Sequence, residues 1–284
     1  MRDKKVRFVV DEGNSLVKIA AYRGDEWLFF EQMERISDDF FQSSGLFHSV
    51  SNDEVGNRGI AGQARNDCSN HNDGATHFSH DFCSTQEKPK AIFLSTRKKE
   101  AQSYEQLSRF FDVKIFDHHT PVPVNNLYET PGTLGVDRLA AVVGATALFE
   151  KSDVLVIDAG TCITYDFVDA KKNYHGGGIM PGLQMKLQAL HNFTGNLPLV
   201  SLGTAEKLCG RNTEEAILAG AINVTLLGLD ALIACFKQQY AGLKTVLCGG
   251  NTKIVQNSLK NDTFAEPKLV LYGLKQILDF NEDR

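Results

Sequence analysis

Leu155-Val-Ile-Asp-Ala-Gly-Thr-Cys-Ile-Thr-Tyr-Asp166 opens as an apolar run and then gives an acid, a glycine and a hydroxyl residue. The run reads as a buried strand. Near the start of the chain stands a weaker copy, Phe8-Val-Val-Asp-Glu-Gly-Asn-Ser-Leu-Val-Lys18. Asp11 aligns with Asp158 and Gly13 with Gly160, while Asn14 and Ser15 align with Thr161 and Cys162. Two distant copies exclude a solenoid, which needs three or more stacked repeats. They predict two related halves that face each other.

The chemistry of each copy follows from its residue types. A strand ending in Asp sets a carboxylate at the sheet edge. Glycine then lets the backbone turn sharply and approach a ligand. Exposed amides with Ser, Thr or Asn suit phosphate oxygens. The carboxylate suits a hard cation, directly or through water. A single copy reads equally well as a strand and an ordinary turn; the pair favours a nucleotide triphosphate gripped from both sides.

The 284 residues suffice for two domains, and 42% hydrophobic content allows a sizeable core. A net charge of −5 argues against a general nucleic-acid binder. No apolar run is read as reaching the roughly 20 residues of a membrane helix, and Met1-Arg-Asp-Lys-Lys5 leads straight into a strand without a signal-peptide core. The six cysteines form no Cys-x-x-Cys pair, as expected of reduced thiols in the cytoplasm.

Strands are predicted over Val6–Val10, Leu16–Tyr22, Trp27–Phe30, Ala91–Ser95 and Val113–Phe116. A capping box at Ser103-x-x-Gln106 is predicted to start a helix through Phe111. Gln42 to Lys88 is polar and aperiodic, and reads as an insertion without a packed core. Its Cys68-x-x-His71 and His77-x-x-His80-x-x-Cys83 are zinc-type ligands, but their spacing fits no zinc pattern. After a Pro-rich loop, Gly135-Val-Asp-Arg138 starts a helix whose Val136, Leu139, Ala140, Val143 and Ala147 share one face. Asp137 suits the helix dipole there, whereas Arg138 gains nothing from that end. The two therefore read either as a good helix start or as a substrate-facing pair. Gly176-Gly-Gly178 reads as bare backbone open to a ligand, with Pro181 in the first turn of the next helix. Asn212-x-x-Glu215 caps a long helix, Glu214 to Tyr240, apolar nearly all round and so buried in the domain or against a second subunit. Val246–Cys248 ends in another bare turn, Gly249-Gly250-Asn251, and Leu269–Phe280 is the closing amphipathic helix.

In order and spacing, Asp11-x-Gly-Asn-Ser-x-x-Lys18, Gly135-Val-Asp-Arg138, Asp158-Ala-Gly-Thr161, Gly176-Gly-x-Ile-x-Pro-Gly182 and Gly249-Gly-Asn251 together resemble the type III pantothenate kinases. The resemblance covers most of the chain outside residues 42–88. It implies an α/β fold of two ribonuclease H-like domains, the actin/hexokinase-like duplication, with a cleft between residues 1–134 and 135–284. It implies ATP-dependent phosphorylation of pantothenate to 4'-phosphopantothenate, the first step of coenzyme A biosynthesis. Asp137 would be the general base. Tyr128, Gly135, Val136, Asp137, Arg138 and Thr194 would hold pantothenate. Asp11, Glu12, Gly13, Asn14, Ser15, Leu16, Val17 and Lys18, with Thr161, Gly249 and Gly250, would hold ATP. Asp11 would lie near the magnesium of MgATP, and Asp158 would bind a monovalent cation, potassium or ammonium. The family resemblance also implies a homodimer with its site shared between subunits. Ser15 and Cys162 stand where other small or hydroxyl residues are common in that family. Two alternatives stay open at this level: another small-molecule kinase of the same superfamily, and a catalytically silent accessory relative.

Overall fold

The computed structural model describes residues 5–37, 40–41, 88–97, 100–205 and 207–282. The Cys and His residues between 68 and 83 lie outside this set, as does nearly all of the polar insertion.

The duplication is present as two sheets of matching topology. The first takes β1 (Arg7–Glu12), β2 (Val17–Arg23), β3 (Glu26–Met33), β4 (Lys90–Ser95) and β5 (Asp112–Ile115) in the order β3-β2-β1-β4-β5. The second takes β7 (Val154–Ala159), β8 (Cys162–Val168), β9 (Asn173–Pro181), β10 (Lys244–Cys248) and β11 (Phe264–Ala265) in the order β11-β10-β7-β8-β9, with the short β6 (Asn125–Asn126) added beside β9. In each half the first strand pairs antiparallel with the second and parallel with the fourth. Asp11 and Asp158 therefore occupy equivalent sites near the ends of the two central strands.

Those strands read as apolar runs because both faces are covered. On β1, Phe8 and Val10 pack with Phe111 and Leu107 of α1 (Glu100–Phe110), while Val9 turns to the opposite face. On β7, Leu155, Ile157 and Ala159 pack under α5 (Val224–Gln239), while Val154 and Val156 face inward. Between the sheets lie two helices, α2 (Val136–Leu148) and α7 (Leu269–Glu282). One core cluster joins Val9, Ile92 and Leu94 of the first sheet to Val156, Val246 and Cys248 of the second through Ala140, Val143, Leu271 and Leu274 of these helices. Helix α2 lies along β7 and β8, and α7 along β1 and β4. Helix α2, at the start of residues 135–284, thus packs mainly on the sheet of its own half, while α7 crosses to the sheet of the other.

The crossing of α2 and α7 is tight. A Cβ on Gly273 would fall 1.8 Å from the Ala140 carbonyl oxygen, and one on Gly144 would fall 2.4 Å from that of Leu269.

Four expectations change here. Ser103 is no cap: α1 begins a turn earlier, and the Ser103 hydroxyl instead donates to the buried Glu12 carboxylate at 2.6 Å. Gly176–Gly178 is no open turn but part of β9, paired with β8. Bulk is excluded there by aromatic rings and backbone: a Cβ on Gly176 would press on the Tyr128 ring, on Gly178 it would enter the Tyr165 ring, and on Gly177 it would strike the Tyr165 carbonyl. Pro181 ends β9, and α3 (Leu183–Asn192) starts after Gly182. The capped helix does form, with the Asn212 side chain accepting from the Glu215 amide. It runs as α4 (Thr213–Leu218), a π-helical turn (Ala219–Asn223) and α5, and by length and composition alone it could cross a membrane. Its span agrees with the sequence reading, but the reading that no apolar run reaches membrane-spanning length does not hold for it. It is also only partly covered: Leu226, Leu229 and Ile233 are buried, while Val224 is 65% and Leu227 52% exposed.

Gly273→Ala is expected to lower stability by about 1–3 kcal/mol or more, as over-packing does in a site that cannot relax. Urea denaturation followed by circular dichroism tests it; an unchanged midpoint would show that the helices can separate at no cost.

Candidate active site

The two phosphate-type turns meet. The Ser15 hydroxyl, after β1, lies 3.2 Å from the Thr161 hydroxyl, after β7. Asn14, Ser15, Leu16 and Thr161 are exposed at this junction, whereas Val17 is packed in the core of the first half.

Each turn is held by its neighbours. Glu12 is buried and accepts from Ser95 at 2.8 Å and Ser103 at 2.6 Å, with an Arg97 nitrogen 3.7 Å away. Its carboxylate is thus engaged beneath the turn. Arg97 also donates from Nε to the Gly13 carbonyl at 2.8 Å and from Nη2 to the Glu34 carbonyl at 3.0 Å. The second turn is backed by Gly182, whose amide donates to the Thr161 carbonyl at 3.1 Å, and by Asn251, whose amide donates to the Ala159 carbonyl at 2.8 Å. Gly249 has a φ of +90°, and a Cβ there would lie 2.4 Å from Asp158 Oδ1. Only glycine combines that backbone with that approach. Gly250 beside it is exposed.

Three acids share this crevice. Asp11 is buried, with Lys18 Nζ 3.6 Å from its carboxylate. Burial first, with the charges of Asp137 and Asp158 added and Lys18 pulling the other way, raises its pKa to about 6. Burial also raises the carboxyl of Asp158, where Asp137 again adds and Lys18 and the Cys248 thiol pull back. Asp137 sits in the first turn of α2, after the N-cap Gly135 and beside Val136. Its carboxylate accepts from the Arg138 amide at 2.9 Å, and burial raises it too. Three carboxyl groups so placed attract cations and repel one another.

Arg138 is buried rather than open. Its Nε lies 3.1 Å from both oxygens of Asp166, and its Nη2 donates to Asp166 Oδ1 at 2.6 Å. The Tyr174 hydroxyl donates to the same oxygen at 2.6 Å. Tyr128 stacks on Tyr174 at 6.3 Å, with the Arg138 guanidinium carbon 5.8 Å from its ring centre. Tyr128, Asp137 and Arg138 are therefore brought together. Thr194 is not: it is exposed at the end of α3, donating to the Leu190 carbonyl at 2.7 Å. Asp166 and Arg97 escaped sequence reasoning. The signal for Asp166 was present as a lone acid in the strand Cys162–Val168. Among the described residues no three His, Cys, Asp or Glu side chains converge to hold a metal by themselves. A surface cavity of about 230 Å³ lined in part by Leu208, Ile222, Leu226 and Ile254 includes none of the acids.

A folded-state pKa near 6 for Asp11, against about 3.9 in an unfolded chain, means that the folded protein binds the proton more tightly. Stability from this group is complete below about pH 4 and is lost as the pH rises through 6. The ligand-free protein is thus expected to gain up to about 3 kcal/mol from Asp11 on acidification from pH 7. Asp11→Asn should raise the melting temperature at pH 7 and flatten its pH dependence. Parallel curves for the two proteins would remove Asp11 as the source.

The family model for type III pantothenate kinases matches residues 7–234. A type III pantothenate kinase of Bacteroides fragilis is 46% identical over 203 residues, 71% of this chain and 84% of the relative. One from Flavobacterium johnsoniae is 39% identical over 68% of this chain and 79% of its own. One from Azobacteroides pseudotrichonymphae is 33% identical over 96% of each. Among solved structures, a Campylobacter jejuni protein assigned to a Baf family of transcriptional activators aligns over 98% of this chain and 100% of its own, with a TM-score of 0.54 at 18% identity. That likeness concerns the fold alone.

Proposed function

The chain belongs to the type III pantothenate kinase family, and we propose that its crevice between residues 1–134 and 135–284 carries the transfer with Asp137 as general base. The protein uses ATP to phosphorylate pantothenate, the first step of coenzyme A biosynthesis. The observation that carries the site assignment is the meeting of Ser15 with Thr161 above Asp11, Asp137 and Asp158.

Asp11, Gly13, Asn14, Ser15, Leu16 and Lys18, with Thr161, Gly249 and Gly250, bind the nucleotide, with Asn14, Ser15 and the turn amides toward phosphate oxygens, while the buried Glu12 and Val17 hold the turn in shape. Tyr128, Gly135, Val136 and Arg138 hold pantothenate beside Asp137. Asp137 accepts the proton of the substrate hydroxyl as its oxygen bonds to the γ-phosphorus and the bond to ADP breaks. Its raised basicity suits this task, since a base works best with a pKa near the working pH. Positioning and charge neutralisation supply most of the rate in such transfers.

The donor set fits two cations. Asp11 would hold the magnesium of MgATP and Asp158 a monovalent ion, potassium or ammonium. Lone carboxylates rather than a closed cage suit magnesium, which is commonly held by one or two carboxylates together with substrate phosphates. When bound, the cations neutralise phosphate charge in a crevice where Asp11, Asp137, Asp158 and Asp166 outnumber Lys18 and Arg138.

The protein acts as a homodimer in the cytoplasm. Support comes from the exposed apolar residues Val224 and Leu227 on α5, and from Phe193, 87% exposed next to Thr194. Thr194 then serves the site of a second subunit.

A coupled assay of ADP release with and without pantothenate tests the activity. Asp137→Asn is expected to keep the fold and ATP affinity while losing about 10² to 10⁴-fold in turnover. A near-normal rate in that variant would take the base assignment away from Asp137.

A further inference from the structure

Arg138 is a poor free ligand for a substrate. It is 6% exposed, and its Nε and Nη2 already face one carboxylate. Asp166 is 1% exposed and receives Arg138 together with the Tyr174 hydroxyl. Charge-assisted pairs of this kind fix the plane of the guanidinium as well as its place. With that edge taken, the rest of the guanidinium faces Tyr128. The Tyr128 ring lies beside the guanidinium and is seated on Gly176 and Tyr174. Tyr174 therefore touches both members of the substrate-holding set, one through Asp166 and one through its ring.

We propose that Asp166 is a positioning residue for pantothenate: by fixing Arg138 from below and Tyr174 from the side, it sets the Arg138 edge and the Tyr128 ring that the substrate meets. The proposal rests on the reading of Tyr128 and Arg138 as pantothenate ligands. Asp166 itself does not touch substrate. It sits on β8, with Val156 of β7 on one side and Gly177 of β9 on the other. The absence of a side chain at Gly177 lets β9 lie close enough for Tyr174 to reach it. Ser15, Lys18 and Thr161 make no hydrogen bond to this arrangement, although the Asp166 charge also reaches the carboxyls of Asp137 and Asp158.

The test is a pair of variants assayed for both substrates. Asp166→Asn keeps the shape but removes the charge and puts a donating amide where one carboxylate oxygen accepts from Arg138. It is expected to raise KM for pantothenate about 10- to 100-fold, as loss of a hydrogen bond to a charged group does, with KM for ATP within about 2-fold of wild type. Breaking a buried pair can also unfold a protein. Tyr174→Phe therefore provides the second reading: it leaves the ion pair and removes one donor. It is expected to move KM for pantothenate in the same direction by about 2- to 5-fold. Asp166→Glu, which restores the charge, should recover part of the loss. Folded variants with wild-type KM for pantothenate would overturn the role of Asp166 and leave the kinase reading standing. So would equal rises in both KM values, which mark a general structural defect. A wild-type protein that releases no ADP on addition of pantothenate would overturn both.

Discussion

Crowded carboxylates govern this molecule. Asp11, Asp137, Asp158 and Asp166 share a crevice with two fixed cations, Lys18 and Arg138. Like charges withdrawn from water raise one another's pKa and cost folding free energy. The chain accepts that cost where the chemistry needs it and limits it elsewhere. Asp166 is matched by Arg138 and Tyr174. Asp11 is only partly matched, by a lysine 3.6 Å away. The least compensated acids are those assigned to the cations and the proton, so the apo protein stands ready for positive charge.

The duplicated fold explains how such residues come to share a space. Each central strand carries an aspartate at its next-to-last position, and each is followed by a turn that shows backbone and hydroxyl groups to the other half. Helix α2 stays on the second sheet, and α7 crosses to the first. The start of α2, which carries Asp137, is thereby delivered between the two turns. Asp137 and the two turns come from three separate stretches of chain, yet one apolar cluster underlies all of them.

The sequence made much of this readable. Both central strands stand out because burial on both faces leaves continuous apolar runs, and the repeated acid-glycine pattern shows at their ends. Asp137 and Arg138 were visible as a pair at a helix start. Their opposite fates were not: one acid faces its fellows, while the arginine is locked to a residue 28 positions away. Long-range pairing leaves no local pattern, which is why Asp166 and Arg97 went unnoticed. The same limit misled the reading of Ser103, whose spacing imitates a cap although its partner is Glu12 on a distant strand. Gly176–Gly178 shows the ambiguity of glycine itself. Missing side chains admit a ligand or an aromatic ring equally well, and here rings and backbone take the room.

The meeting of Gly144 and Gly273 has a mechanical meaning. Bare backbones in contact set how closely two helices can approach. Because α2 lies on one sheet and α7 on the other, that approach also sets the spacing of the two sheets, and with it the gap that Ser15 and Thr161 bridge.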